Sequence, residues 1–206
     1  MEERGVGAFP KPIWGRIPNF VGREKAAEKL RRLKEYRSAS TLMVNPDSPQ
    51  APIREIALRD GKRLLVATPR LRNGFVLLDP ERIDPVETRG VRNLLKRGYS
   101  PDLRNLEVDL VVEGSVAVDL EGGRLGKGSG FGDLEIAILA EFGAVDESTP
   151  LITSVHELQI VDEVPMTDHD VPVDFILTPE RIIETKRRHP KPLGIRWEIL
   201  PAEVIR

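Results

Sequence analysis

The sequence predicts an α/β fold, a mostly parallel sheet with helices on both faces. Two observations carry this. From about residue 23 to residue 183, short apolar runs alternate with helical patterns, as expected of parallel strands joined by helices that cover the sheet. The run Arg124-Leu-Gly-Lys-Gly-Ser-Gly-Phe-Gly-Asp133 follows an apolar stretch (Val108 to Leu120, broken at Glu113-Gly114) and precedes a helical pattern (Leu134 to Phe142), which reads as strand, glycine loop, helix. The 206 residues, 40% of them hydrophobic, suit one domain with a substantial core, and no internal repeat or linker divides them.

Each element has a local cause. Residues 1–22 read as an extended arm, because Phe9-Pro-Lys-Pro12 and Ile17-Pro18 disfavour helix, with Trp14, Ile17, Phe20 and Val21 pinning it to the body. Arg23 to Tyr36 reads as one helix with Ala26, Ala27, Leu30 and Leu33 as its apolar stripe. Thr41 to Val44 is a short buried strand. Asp47-Ser48-Pro49 then starts a helix that runs to about Arg59 and stops at Gly61. Arg63 to Ala67 is a strand closed by Pro69, and Phe75 to Leu78 an edge strand. Glu87 to Lys96 is helical. Beyond the glycine loop, Leu151 to Val155 and Val173 to Leu177 read as strands, and Ile195 to Ile199 as a final one. In such sheets ligands bind beyond the carboxyl ends of the strands, so Asn45 to Gln50, Thr68 to Asn73 and the glycine loop are expected to line one site.

Composition narrows the function. A formal net charge of −2 gives no electrostatic reason to expect nucleic acid as a partner, and no apolar run has the length of a membrane span. The amino-terminal residues carry no signal-like apolar region, so a cytoplasmic protein is expected. Cysteine is absent, which excludes disulfides, thiolate catalysis and cysteine-based zinc sites.

The glycine loop carries the chemistry. Gly126, Gly128, Gly130 and Gly132 allow backbone N–H groups to form an anion-binding concavity ahead of a helix N-terminus, with Ser129 and Phe131 among them. Arg124 and Lys127 supply positive charge, and Asp133 stands where a metal ion on the phosphates would need a ligand. Phosphate or nucleotide binding is the prediction. The spacing is neither a Walker loop nor a dinucleotide fingerprint: Glu121 stands where the first Walker glycine belongs, and Phe131 where the third dinucleotide glycine belongs.

Several residues admit two readings. Asp133 is either a magnesium ligand or a helix cap. Asp174, inside the apolar run Val173 to Leu177, needs a cation or hydrogen bonds, from a metal or from a structural partner. Phe131 either stacks on a ligand ring or anchors the loop. Arg70 and Arg72 hold phosphate or are solvated loop charges. His156 and His169 lie beside carboxylates without a matched nucleophile, which favours structural roles over proton transfer.

At the glycine loop the chain resembles the 5-formyltetrahydrofolate cyclo-ligase family, whose members show Arg-Leu-Gly-x-Gly-x-Gly-Tyr-Tyr-Asp after a strand. Arg124-Leu-Gly126, Gly128, Gly130, Phe131-Gly132 and Asp133 match it, as do Glu157-Leu-Gln159, His169-Asp170-Val-Pro-Val-Asp174 and Thr178-Pro-Glu180 downstream. Asp47 stands fourteen places before Gly61-Lys62, where the family has an acidic residue, and Pro69 falls in place. This likeness spans roughly residues 41–183. A likeness to a divergent branch, the methenyltetrahydrofolate synthetase domain-containing proteins, covers nearly the whole chain through Arg16-Ile-Pro-Asn-Phe20, Pro69-Arg-Leu-Arg72, Gly114-Ser-Val-Ala-Val118 and Pro190-Lys-Pro-Leu-Gly194.

The resemblance implies a fold like that of the NagB/RpiA/CoA transferases and a monomer. It implies ATP and a reduced folate as small-molecule partners, with Mg²⁺ on the phosphates. It places Arg124 and Lys127 in catalysis, and residues 124, 126–132, Lys11 and Arg16 at the nucleotide. Asp47, Pro69 and Arg70 fall on the folate side, and Asp133 and Asp174 at the metal. The departures are concentrated. Phe131 and Gly132 replace paired tyrosines, Leu134 replaces an arginine, and Asp47 replaces a glutamate. Lys11 and Arg16 lack the spacing of the family's Lys-x-x-x-Arg pair. Two functions therefore stand side by side: ATP-dependent cyclisation of 5-formyltetrahydrofolate to 5,10-methenyltetrahydrofolate, and noncatalytic binding of nucleotide or folate in the same cleft.

Overall fold

A computed structural model of the chain describes residues 1–192 and 194–199. In chain order the strands are β1 (Thr41–Val44), β2 (Arg63–Ala67), β3 (Phe75–Leu78), β4 (Leu110–Glu113), β5 (Ala117–Val118), β6 (Arg124–Leu125), β7 (Leu151–Ser154), β8 (Phe175–Leu177) and β9 (Ile182–Glu184). The helices are α1 (Arg23–Glu28), α2 (Lys34–Ser38), α3 (Ala51–Arg59), α4 (Val91–Arg97) and α5 (Phe131–Glu141). One seven-stranded sheet has the order β3-β2-β1-β4-β7-β8-β9, and β5 and β6 form a small hairpin beside it. β2, β1, β4, β7 and β8 run parallel, while β3 and β9 are antiparallel edges. The expected mostly parallel α/β sheet is therefore what the chain builds.

Both faces of the sheet are buried, and the alternation of side chains along each strand sorts them. Leu42, Val44, Leu64, Val66, Leu110, Val112, Ile152 and Leu177 face one way, onto Ala27, Leu30, Ile53, Ala57 and Leu94. Met43, Leu65, Ala67, Val111, Leu151 and Ile176 face the other, onto Ile136 and Leu139 of α5 and onto Val108, Val171 and Val173. Fully burying each Val, Leu, Ile or Met side chain among these contributes about 1.5–3 kcal/mol. The strands accordingly read as continuous apolar runs rather than alternating ones.

Some elements depart from expectation. The helix expected over Arg23 to Tyr36 is three pieces, α1, a 3-10 turn at Lys29–Arg32 and α2, because Leu33 is extended (ψ 134°) so that its side chain stays in the core. Residues 1–22 double back rather than run extended. Gly7 pairs with Phe20, and Ala8 N donates to Asn19 O. Ile17 and Phe20 pin this arm as expected, but Trp14 and Val21 are exposed. Residues 197–199 form a 3-10 turn, not a strand, and the last strand is β9 instead.

The winding of the chain reverses between β1 and β4: β2 lies on one side of β1, and β4 on the other. The crevice at the carboxyl ends of these two strands is where such sheets bind ligands. One of its walls is set by Arg54 of α3, which is completely buried. Arg54 donates to the carbonyls of Asn45 (2.6 Å), Asp47 (3.0 Å) and Thr88 (3.2 Å), fixing the loop after β1. Its burial pulls the guanidinium pKa down to about 10. Arg54→Met leaves the carbonyls of Asn45 and Thr88 without donors, while Asp47 O keeps the Gln50 amide, and is expected to lower stability by roughly 3–5 kcal/mol, about 6–20 °C in Tm. Thermal unfolding followed by circular dichroism checks this, and an unchanged midpoint would contradict it.

Candidate functional site

The site is assembled around Arg124. β6 turns this side chain inward, leaving the residue 5% exposed. Its Nη2 meets Asp133 Oδ1 at 2.5 Å, Nη1 donates to Gly114 O at 3.2 Å, and Nε donates to Val171 O at 3.2 Å. Glu113 Oε2 lies 3.8 Å from Nη1. Asp133 Oδ1 also accepts from Val171 N at 3.0 Å. One guanidinium thus ties the end of β4, the first turn of α5 and the segment leading into β8. Arg124, expected at the phosphates, is spent inside the protein. Asp133 is not the cap of α5, because the N-cap is Gly130 and makes no side-chain bond. Both bonds to Asp133 fall on Oδ1, and among the described residues Oδ2 accepts none.

The loop above this knot has the geometry of an anion cradle. Gly128 (φ +80°) and Gly130 (φ +67°) are left-handed, a conformation that L side chains rarely adopt and one from which anion-binding nests are built. Among the described residues, the amides of positions 126–133 donate to no other group. They sit over the N-terminus of α5, an eleven-residue helix whose dipole favours an anion there. Ser129 is exposed and Phe131 half-buried. Lys127 reaches across the crevice to Asp47, Nζ to Oδ1 at 3.1 Å, and so brings the loop after β1 to the glycine loop. The lysine side chain is 43% exposed, and such a pair contributes about 0–1 kcal/mol, so it opens readily.

Beneath that pair lies a cluster the sequence reading did not single out. Glu113 and Glu135 are 2% and 7% exposed. Asn45 Nδ2 stands between them, 3.4 Å from Glu113 Oε1 and 3.2 Å from Glu135 Oε2, while Asn45 Oδ1 accepts from Gly114 N at 2.6 Å. Burial pushes the Glu113 carboxyl up to about 7 against the partial relief of Arg124. Glu135 is raised well above the usual carboxylate range by burial and then by Glu113. Gly132, where the resemblance expects a tyrosine, gives Glu113 its room: a Cβ there would stand 2.8 Å from Glu113 Oε2. A signal for this cluster existed. Glu113 ends the apolar run Leu110–Val112, and Glu135 interrupts Leu134-Ile136-Ala137, so each carboxylate needed a partner.

Other expected site residues are not drawn in. Asp174 lies at the amino ends of β7 and β8, the edge opposite the glycine loop. Its carboxylate accepts from Leu151 N (2.8 Å) and pairs with Lys191 (2.6 Å) and Arg187 (3.0 Å), which gives it the structural partners burial requires. Pro69 and Arg70 are exposed. Arg70 and Leu71 hold left-handed φ of 55° and 54°, a strained turn that borders a cavity of about 220 Å³ lined by Leu71, Asn73, Phe75, Leu103 and Ile138. That cavity lies beside α5 rather than at the Lys127–Asp47 pair. Lys11 and Arg16 are exposed on the arm, with Arg16 next to Ile17, whose side chain packs on Gly114. His156 Nδ1 caps a 3-10 turn by accepting from Leu158 N, and Asp170 closes a turn on Thr167, both structural. Gln159 donates to the carbonyls of Ser115 and Val116 and steadies the link between β4 and β5.

A folded-state pKa near 7 for Glu113, against an ordinary 4.5, means that the folded protein binds more protons than the unfolded chain between those values. The stabilisation is therefore complete below about pH 4.5 and is lost as pH rises through about 7. Glu113→Gln is expected to flatten this decline and to raise Tm at pH 8 by about 2–8 °C, on the order of 1–2 kcal/mol. Melting curves from pH 5 to pH 8 check it; a variant that follows the wild-type slope would contradict it.

The 5-formyltetrahydrofolate cyclo-ligase family model matches residues 2–179. The methenyltetrahydrofolate synthase domain-containing proteins of Bos taurus and Homo sapiens are 44% and 40% identical over 218 aligned residues. The alignments cover all of this chain but 56% of each relative, so the chain spans about half the length of the curated relatives it matches. The NMR structure of Aquifex aeolicus 5,10-methenyltetrahydrofolate synthetase superposes with a TM-score of 0.55 at 18% identity, over 87% of this chain and 88% of that one, and so shares the fold. On the extent of the family match and the identity to these relatives, the chain belongs to the 5-formyltetrahydrofolate cyclo-ligase family.

Proposed function

We propose that this chain binds ATP at the glycine loop and catalyses the cyclisation of 5-formyltetrahydrofolate to 5,10-methenyltetrahydrofolate. The observation that carries the reading is the row of unpaired amides from residue 126 to residue 133 over the N-terminus of α5, with Lys127 beside it. In this reaction the formyl oxygen attacks the γ-phosphorus and ADP leaves. The neighbouring folate nitrogen then attacks the phosphorylated carbon, and phosphate departs as the ring closes. Such chemistry asks the protein chiefly for positioning and charge neutralisation. The loop amides hold the phosphates in line, and Lys127, released from Asp47, meets their charge. Asp47 is then free to face the folate.

The residues fit magnesium only as a passenger on ATP. Among the described residues no group of three or more His, Asp or Glu side chains is placed to hold a metal ion. Asp133 Oδ2 is the open carboxylate oxygen next to the cradle, and an ion that keeps most of its waters needs only one or two carboxylates besides phosphate. Mg²⁺ bound there would neutralise charge on the phosphates. One observation favours the noncatalytic alternative: Glu113 already places a carboxylate against Gly132 in the first turn of α5, where a tyrosine would stand in the family pattern.

Calorimetry with ATP and Mg²⁺ tests the binding half. Lys127→Ala is expected to weaken affinity about tenfold, the loss of one charge-assisted contact. Unchanged affinity, or no binding by wild type, contradicts the assignment. Absorbance of the methenyl product, followed with and without ATP, tests the chemistry. A protein that binds ATP yet forms no product above background is a noncatalytic homologue.

A further inference from the structure

The cluster beneath the Lys127–Asp47 pair is short of donors. Glu113 and Glu135 together offer four acceptor oxygens, yet among the described residues their hydrogen bonds come only from Asn45 Nδ2, at 3.4 and 3.2 Å. Against Gly114, the residue after Glu113, lies Gln50, with none of its surface exposed. Among the described residues, both its Nε2 and its Oε1 are buried without a partner. Its Oε1 stands 3.3 Å from the Cβ position of Gly114, the residue that follows Glu113 and whose amide binds Asn45. An idle carboxamide costs stability, and so do two buried carboxyls that share one long-range donor. The three side chains come from the loop after β1, the end of β4 and the first turns of α5, so they converge at the reversal of the sheet. Ile17 of the arm covers the same Gly114.

We propose that Glu113, Glu135 and Gln50 form the recognition site for the amino-lactam edge of the reduced folate's pterin ring. Such an edge presents adjacent N–H donors next to one carbonyl acceptor. The carboxyls take the amino and ring N–H groups, and Gln50 Nε2 donates to the carbonyl. Asn45 aligns the two carboxyls as a positioning residue. Gly132 belongs to the same device, since any side chain there would displace the Glu113 carboxyl. Access requires Lys127 to leave Asp47 and the Ile17 segment of the arm to lift. This specificity rests on the folate reading given above.

The test is calorimetric binding of (6S)-5-formyltetrahydrofolate and of its analogue with methyl in place of the 2-amino group. Wild type, Glu135→Gln and Gln50→Leu are compared, each also with ATP and in thermal unfolding. Wild type should lose at least tenfold in affinity for the analogue. Glu135→Gln should bind 5-formyltetrahydrofolate at least tenfold more weakly and no longer distinguish the two ligands. Gln50→Leu should weaken folate binding at least fivefold while melting at the wild-type temperature or above, a combination that a purely structural glutamine would not give. ATP affinity should be unchanged in both variants. If wild type does not bind 5-formyltetrahydrofolate, the folate function itself falls, and this site with it. If wild type binds it and both variants stay within twofold, the recognition site alone is overturned.

Discussion

The buried guanidinium of Arg124 is the contact on which the rest of the site depends. It reaches the ends of three elements far apart in sequence: Gly114 after β4, Asp133 in the first turn of α5, and Val171 before β8. A cation this deeply buried is tolerable only because each face of it meets a carbonyl or a carboxylate. Removing one partner would strand the charge, so these contacts are mutually enforced. With the start of α5 fixed in this way, the glycine loop is anchored at the end that leads into the helix. Arg54 does the same for the other wall by holding the carbonyls of Asn45 and Asp47. Two arginines inside the protein, rather than on its surface, give the crevice its shape.

The crevice is richer in carboxyls than a phosphate site usually is. Asp47, Glu113, Asp133 and Glu135 gather around Lys127 and Arg124. They divide by depth. The upper layer, Lys127 with Asp47, is half-exposed and exchangeable. The lower layer, Glu113 with Glu135, is sealed from water and holds its protons more tightly than free carboxyls do. The exchangeable cation thus lies in the upper layer and the buried acceptors in the lower. A substituent at position 132 would merge the two layers, since it would take the place of the Glu113 carboxyl.

Much of the fold was legible in the sequence because its strands are buried on both faces. Leu42, Leu64, Leu110 and Ile152 lie in unbroken apolar runs that only a covered parallel sheet explains. The glycine loop was legible because left-handed backbone at Gly128 and Gly130 needs glycine. What the sequence did not reveal was the direction in which charged side chains point. Arg124 and Lys127 stand three residues apart in one loop, and their types alone give both to the phosphates. Strand β6 turns the first inward and the turn at Gly128 leaves the second outside. Asp174 and Glu113 posed the same problem, a carboxylate in an apolar run, and tertiary contacts solved it differently, with Lys191 and Arg187 for one and Arg124 with Asn45 for the other. The arm was misread because pairing of Gly7 with Phe20 is a long-range contact that proline spacing does not encode.

In the proposed function, backbone amides of the glycine loop rather than Arg124 would hold the nucleotide. Amide chemical shifts followed during titration with ATP and Mg²⁺ separate the two. Large, saturable shifts are expected for the amides of Gly126, Gly128, Gly130 and Gly132, with the Arg124 Nε signal nearly unmoved. Glycine amides that stay in place while signals elsewhere on the protein shift would contradict it.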